Sequence, residues 1–444
     1  MQLVANFGTD DFSGKTINSV IWQEFMNYTY LATDYRLSEI WNNFYGAINQ
    51  ASDIIKNVPS SPFQQASKDR IVAEAKFMRA LYYFNLVRMF GKVPLIIEPT
   101  SSLDNLNHAR NSTQEVFAQI ILDLNEAAAV LPAASATPAG KATRGAALAL
   151  LSKAYLFMGS YGKYKSVSGY DWVDVNQAFA NSVNFGKQVL ALPEYSLASS
   201  YPSIFQVETE NNSEIIFSVQ FEGSSSISGQ GGFTVNNFGP AFVADAKTGS
   251  SLNNSRGGQA NARPTKNLIA RYATTDSRLA WNVAKVGYNV CTEVTTTVSY
   301  AGKFRKPCGF NGQHFSDPVN FPLLRLADIM LVVAEADAEL NNGVATALGL
   351  QLVTQLRTKR YAPNVPGAIT GNFLDFIFDE RSRELCYEGQ RWFDLQRTGR
   401  LINAVKSATL SIGTTSAPAN IQPKHYLFPI PQNEIDNNSL ISNT

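Results

Sequence analysis

Two clusters of aromatic and amide side chains carry the clearest binding chemistry in this chain. Trp22, Tyr28, Tyr30 and Tyr35 lie close together in sequence, interleaved with Gln23, Asn27, Asp34 and Arg36. Trp281, Tyr288 and Tyr300 form a second group with Asn282 and Asn289, immediately after Asp276-Ser-Arg278. Rigid rings with polar rims suit a ligand with an apolar C–H face and hydroxyl edges, as a pyranose has. The face stacks on the ring, and neighbouring amides and charged groups pair with the hydroxyls. These seven aromatics form the candidate ligand-binding set. Any one of them can also be read as loop packing, and Trp41, inside a helical pattern, reads as core.

A third set is acidic. Glu380, Glu384, Glu388 and Asp394 would supply the facing carboxylates that glycoside hydrolysis needs. Their spacing favours structure instead: the three glutamates step by four along one expected helix, beside Arg381, Arg383 and Arg391, which predicts ion pairing. Trp392 and Phe393 read as helix packing in the same way. Other chemistries lack their residues. His108, His314 and His425 are isolated, and H-E-x-x-H, a phosphate-binding glycine loop, a dinucleotide fingerprint, an EF-hand loop and G-x-S-x-G are all absent. No catalytic residue, no metal ligand and no cofactor is therefore expected.

Composition narrows the partners. Lys plus Arg number 37 against 36 Asp plus Glu, which leaves no charge excess to drive binding to nucleic acid or to a membrane surface. Charged residues are 16% and aromatics 11%, a profile suited to neutral, hydroxyl-rich ligands. No run of about 20 apolar residues is present to span a membrane. The three cysteines include no C-x-x-C pair. Cys386 reads as a buried small hydrophobe, while Cys291 and Cys308 are left open between free thiols and a bridge, the latter requiring an extracytoplasmic setting.

The elements that must position these residues are mostly helices. Ile71, Ala75, Met78, Tyr82, Leu86 and Met89 recur at helical steps, and Gly91 and Pro94 end that helix, Gly91 through a left-handed conformation. Leu326, Ile329, Val333, Ala336 and Leu340 repeat the pattern, and Asn341-Asn-Gly343 joins it to a second helix over 344–360. Similar pairs are expected at 36–57 with 67–90 and at 114–130 with 142–161, with a fourth beginning at 173–192. Between them lie Gly/Ser/Asn-rich stretches at 223–232 and 253–258, and a β-branched stretch within 288–304 that predicts a small hairpin. Helix pairs of this size look like tetratricopeptide-type units, without their fixed consensus.

The order of these pieces resembles the SusD/RagB family of outer-membrane nutrient-binding lipoproteins. The resemblance rests on Ala75-Lys-Phe-Met-Arg through Gly91-Lys-Val-Pro94 and on Glu380-Arg-Ser-Arg-Glu through Glu388-Gly-Gln-Arg-Trp-Phe-Asp394. Trp41-Asn-Asn-Phe-Tyr45, Glu115-Val-Phe117, Ser213-Glu-Ile-Ile-Phe217, Pro322-Leu-Leu-Arg-Leu-Ala-Asp328 and Phe428-Pro-Ile-Pro-Gln432 support it in the same order. It implies one mainly α domain over 1–444, with tetratricopeptide-like helical hairpins, long irregular loops and minor β-hairpins. The scaffold would lie at about 36–200 and 322–400, and variable ligand-face loops at about 15–36, 222–265 and 280–320. It further implies non-catalytic binding of an oligosaccharide at the bacterial cell surface and delivery to a TonB-dependent transporter of the SusC type. It leaves room for a bound calcium ion. Since Met1 to Asp11 has no signal character, the resemblance implies a signal peptide and a lipid-bearing cysteine upstream in the native precursor. A peptide ligand, a glycosidase and a pure interaction scaffold remain as alternatives.

Overall fold

A computed structural model of the chain describes residues 5–6, 8–14, 20–100, 106–222, 239–241, 257–289, 291–308, 317–409 and 420–441, and for Val20, Ile21, Trp22 and Ala262 it describes the backbone alone. The stretch 223–232, most of the expected loop 222–265 and part of 280–320 lie outside the described residues. The chain divides into two compact units. The first comprises Met1–Thr29, Tyr195–Leu395 and Arg400–Ile421, the second Tyr30–Glu194, Gln396–Gly399 and Gln422–Thr444.

Five long helices build the second unit: Tyr35–Asn57, Gln65–Phe90, Thr113–Val130, Arg144–Tyr164 and Val175–Leu190. Each packs on the next, as a series of helical hairpins does. Local chemistry sets their starts. The Ser112 side chain accepts from the Glu115 backbone while Glu115 returns a bond to the Ser112 N–H, and Thr143 and Asp174 cap the next two helices. Small residues then let the last pair approach closely. Ser152 and Ser182 each donate a hydroxyl to the other's carbonyl at 2.8 Å, and a Cβ on Gly159 would lie 2.7 Å from the Phe179 ring. The apolar steps of Gln65–Phe90 enter a core in which Phe84 meets Phe157 edge-on at 5.2 Å. Arg79 crosses this layer to make two 2.8 Å bonds with Asp123 and further bonds to Ser52 and the Ile97 carbonyl. Gly91 ends the helix at φ +72 and ψ −121, a region only glycine occupies readily, rather than in the expected left-handed turn.

The first unit holds the pair Leu326–Leu340 and Ala347–Tyr361, joined through Asn342 and Gly343 at positive φ, with the Phe373–Leu385 helix packed on it. Among the described residues three two-stranded antiparallel sheets accompany them: Phe12–Gly14 with Ala262–Pro264, Ile215–Val219 with Phe321–Arg325, and Val283–Asn289 with Thr292–Ala301. The last is the hairpin expected from the β-branched stretch. One expectation is corrected here. Glu388 does not share a helix with Glu380 and Glu384, because the helix ends at Leu385 and the chain turns through Tyr387 and Gly389, both at positive φ. Among the described residues no helix is long and apolar enough to cross a membrane.

Candidate ligand-binding site

Trp281 stands at the end of the short Ser277–Asn282 helix, where the chain enters the Val283–Asn289 strand. The capping carboxylate of Asp276 starts that helix by accepting from the Arg278 backbone at 3.0 Å. The hairpin folds back so that the chain after Thr292–Ala301 passes directly beneath the indole. Gly302 permits this: a Cβ there would lie 2.2 Å from the Trp281 carbonyl. The Trp281 Nε1–H donates to the Lys303 carbonyl at 3.1 Å, and the Arg305 guanidinium lies 3.9 Å from the ring centroid. Arg305 is itself fixed by bonds to the carbonyls of Gly302 and Trp281 and to the Tyr288 hydroxyl. A disulfide between Cys291 and Cys308, with Cα atoms 5.3 Å apart, closes the loop that carries Gly302, Lys303 and Arg305, while Trp281 and Tyr288 precede it in the chain. The result is a half-buried indole whose edge and one face are fixed by protein, as a stacking platform requires.

The other predicted aromatics take different positions. Tyr288 is fully buried, and its hydroxyl donates to Glu293 at 3.1 Å. Tyr300 is buried among Ala260 and Ala284, with Arg263 at 5.2 Å from its ring. Tyr28 is buried and donates to the Gly8 carbonyl at 2.7 Å. Tyr30, in the second unit, is buried edge-on to His425 at 5.4 Å and beside Phe428 at 5.2 Å. For Tyr28, Tyr288 and Tyr300 the expectation of an open ring face is corrected, since packing already covers them, and Tyr30, though buried, borders a cleft in the second unit. Tyr35, at the start of its helix in the second unit, is 57% exposed, with Arg36 at 5.1 Å from its ring. Trp22 lies on the Val20–Asn27 helix, and its side chain is outside the described residues. Sequence reasoning missed Arg305, Lys303 and Gly302, whose backbone and charge set the platform. The Gly-Lys-x-Arg run after an expected strand was the available signal.

The acidic candidates are part of a buried ion network in the first unit. Arg278 reaches Asp276, Glu380 and Glu384 at 2.7 to 2.8 Å. Arg325 reaches Glu214, Glu384 and Glu388, and Arg360 also bonds Glu214 and Glu384. Lys303 completes it on Glu388 at 2.7 Å. Burial alone would raise Glu380 and Glu384, but the surrounding guanidinium groups outweigh it and hold Glu380 below and Glu384 well below the ordinary range. A glycosidase acid needs the opposite shift. Burial pushes the free Cys386 thiol up to about 11, which fits an inert core residue. Among the described residues no group of three or more His, Cys, Asp or Glu is placed to hold a metal.

The first unit thus sets an aromatic side chain beside a disulfide-closed loop. Two models of one family match the chain, the first described as SusD-like, starch-binding and associating with the outer membrane, over residues 5–156, the second as the SusD family over residues 278–444. The chain belongs to the SusD/RagB family. It is 26% identical over 441 residues to the SusD-like protein P25 of Formosa agariphila, covering 91% of this chain and 78% of that protein. A SusD-like protein of Bacteroides ovatus is 27% identical over 395 residues, 84% of this chain and 68% of the relative. A laminarin-binding SusD-like protein of known structure is 26% identical with TM-score 0.79, covering 100% of this chain and 93% of that one. A SusD superfamily protein from Parabacteroides distasonis shares the fold at TM-score 0.80 and 24% identity, covering 100% and 92%.

Proposed function

We propose that this protein binds a neutral glycan without cleaving it and passes it to a SusC-like, TonB-dependent outer-membrane transporter. It would act at the extracellular face of the bacterial outer membrane, held there by an N-terminal lipid anchor, with no contact to nucleic acid. The observation that carries the reading is Trp281, half-exposed and backed by Arg305 on a closed loop. Tyr35 and Trp22 remain secondary candidates for ring contacts. The laminarin-binding relative supports a glycan as the ligand class. The paired state of Glu380, Glu384 and Glu388 supports binding over turnover. No cofactor is part of the reading, so chelation of calcium is expected to leave binding unchanged.

The test is affinity electrophoresis of the chain through gels containing single neutral polysaccharides, with product analysis on any that retard it. Retardation by one glycan, no released sugar, and loss of retardation in Trp281→Ala are expected. A Trp281→Ala protein retarded as strongly as the parent would refute the platform, and released oligosaccharide would refute the non-catalytic reading.

A further inference from the structure

We propose that the second unit carries a separate site for an anionic sugar, in a cleft between the end of the Gln65–Phe90 helix and the 424–430 segment. The cleft encloses ≈ 500 Å³, inside the range of roughly 300–1,000 Å³ that small-molecule sites occupy. Three cations line it, Lys92, Arg110 and Lys424, and no carboxylate does. Among the described residues neither lysine ammonium is paired. On a chain whose formal net charge is +1, this is a local concentration of positive charge. Burial draws the Arg110 guanidinium below its ordinary basicity, a cost that an arriving anion would offset.

The walls are built before any ligand arrives. The Arg110 Nε–H donates to the Lys92 carbonyl at 2.9 Å, which fixes two of the cationic residues to one another. The Phe428 N–H donates to the Met89 carbonyl at 2.8 Å, and the Gln396 side chain bridges the carbonyls of Arg88 and Tyr426. Gly91 then closes one end, since a Cβ there would lie 2.9 Å from Leu427 Cδ1. Half-exposed Leu427 and Pro429 add apolar surface to the same lining. A lining that combines apolar side chains with three cations matches a ring with one C–H face and an acidic oxygen group, either a carboxylate or a sulfate ester. An extended acidic peptide fits less well, because no described strand borders the cleft to pair with its backbone. The sugar identity rests on the glycan-binding reading above, whereas the charge of the ligand does not.

Calorimetry on the full chain tests this with four probes: trigalacturonate, its carboxyl-reduced neutral counterpart, a sulfated galactotriose, and a blocked Asp-Glu-Asp peptide. At least one anionic sugar is expected to bind tenfold or more tightly than the neutral counterpart, and the arm that binds names carboxylate or sulfate. The charge-reversed pair Lys92→Glu with Lys424→Glu, both exposed positions, is expected to weaken that binding at least tenfold, and the neutral Gln pair less. Retardation by neutral polysaccharide should survive both pairs, while Trp281→Ala should remove retardation and keep the anionic sugar. Equal binding of neutral and anionic sugars, no binding of either anionic sugar, wild-type binding by the reversed pair, or tighter binding of the peptide would each overturn the proposal. Because each site has its own variant and its own probe, failure of one reading is distinguishable from failure of the other.

Discussion

Trp281 depends on Arg305 for its geometry as much as on its own ring. The guanidinium sits on one face, and the Lys303 carbonyl holds the indole edge, so in the proposed function the ring would meet a glycan without first having to be ordered. Trp281→Ala should weaken glycan binding by about tenfold or more, a loss of roughly 1–2 kcal/mol, while Trp281→Phe should retain part of it. Arg305→Leu is expected to lower affinity less and to leave the melting temperature of the first unit within a few degrees, measured by calorimetry with and without glycan. Of the seven aromatics singled out in the sequence, Tyr28, Tyr30, Tyr288 and Tyr300 are buried. Tyrosine alternating with amide reads alike whether the hydroxyl awaits a ligand or already bonds a distant carbonyl, as Tyr28 does with Gly8. Only the partner on the far side of the chain decides which, and patterning along the chain does not contain that partner. Arg305 was missed for the same reason, because its stacking partner lies 24 residues earlier.

At the scale of elements, the helices were legible because periodicity, caps and stops agree. Gly91 is the clearest case, and its role is testable. Gly91→Ala places a Cβ against Leu427 at a backbone angle that alanine tolerates poorly, and should cost about 1–3 kcal/mol, read from a urea midpoint. His425, on the segment that Leu427 belongs to, gives a pH signature. Its Nδ1 accepts from the Gln422 N–H at 2.9 Å, so a proton there would face another donor, and burial together with Lys424 lowers its pKa from 6.5 to about 4. The unfolded chain therefore takes up the proton first. The contribution of His425 to stability is complete above pH 6.5 and is lost as pH falls from 6.5 through 4. His425→Asn, which keeps an acceptor at the same place, should flatten the melting-temperature profile of the second unit across that window. An unchanged profile would show that another group carries the slope. Glu388 illustrates what periodicity does not reach: its i, i+4 spacing from Glu384 continues a helix on paper, while the turn at Tyr387 and Gly389 ends it.

Across the whole molecule the two units are held by different means. Small-residue helix packing dominates the second, whereas the first encloses arginines and carboxylates that are nearly inaccessible to solvent. Glu384 accepts from Arg278, Arg325 and Arg360, so Glu384→Ala would leave three buried cations short of an anion and should cost about 3–5 kcal/mol. The loss should persist in 1 M salt, because a desolvated network is screened little. The midpoint of urea unfolding followed in both salt conditions checks this. Both units are also discontinuous in sequence. The five long helices of the second are complete once residue 190 has been made, yet the bonds from Gln396 and Phe428 that finish their packing come more than two hundred residues later. During synthesis, then, neither half can reach its final form in the order in which it is made. The packing of the second unit is complete only once the segment from Gln422 onward is in place, and a version cut before Gln422 should emerge as a substrate for chaperones and proteases rather than as a shorter folded protein.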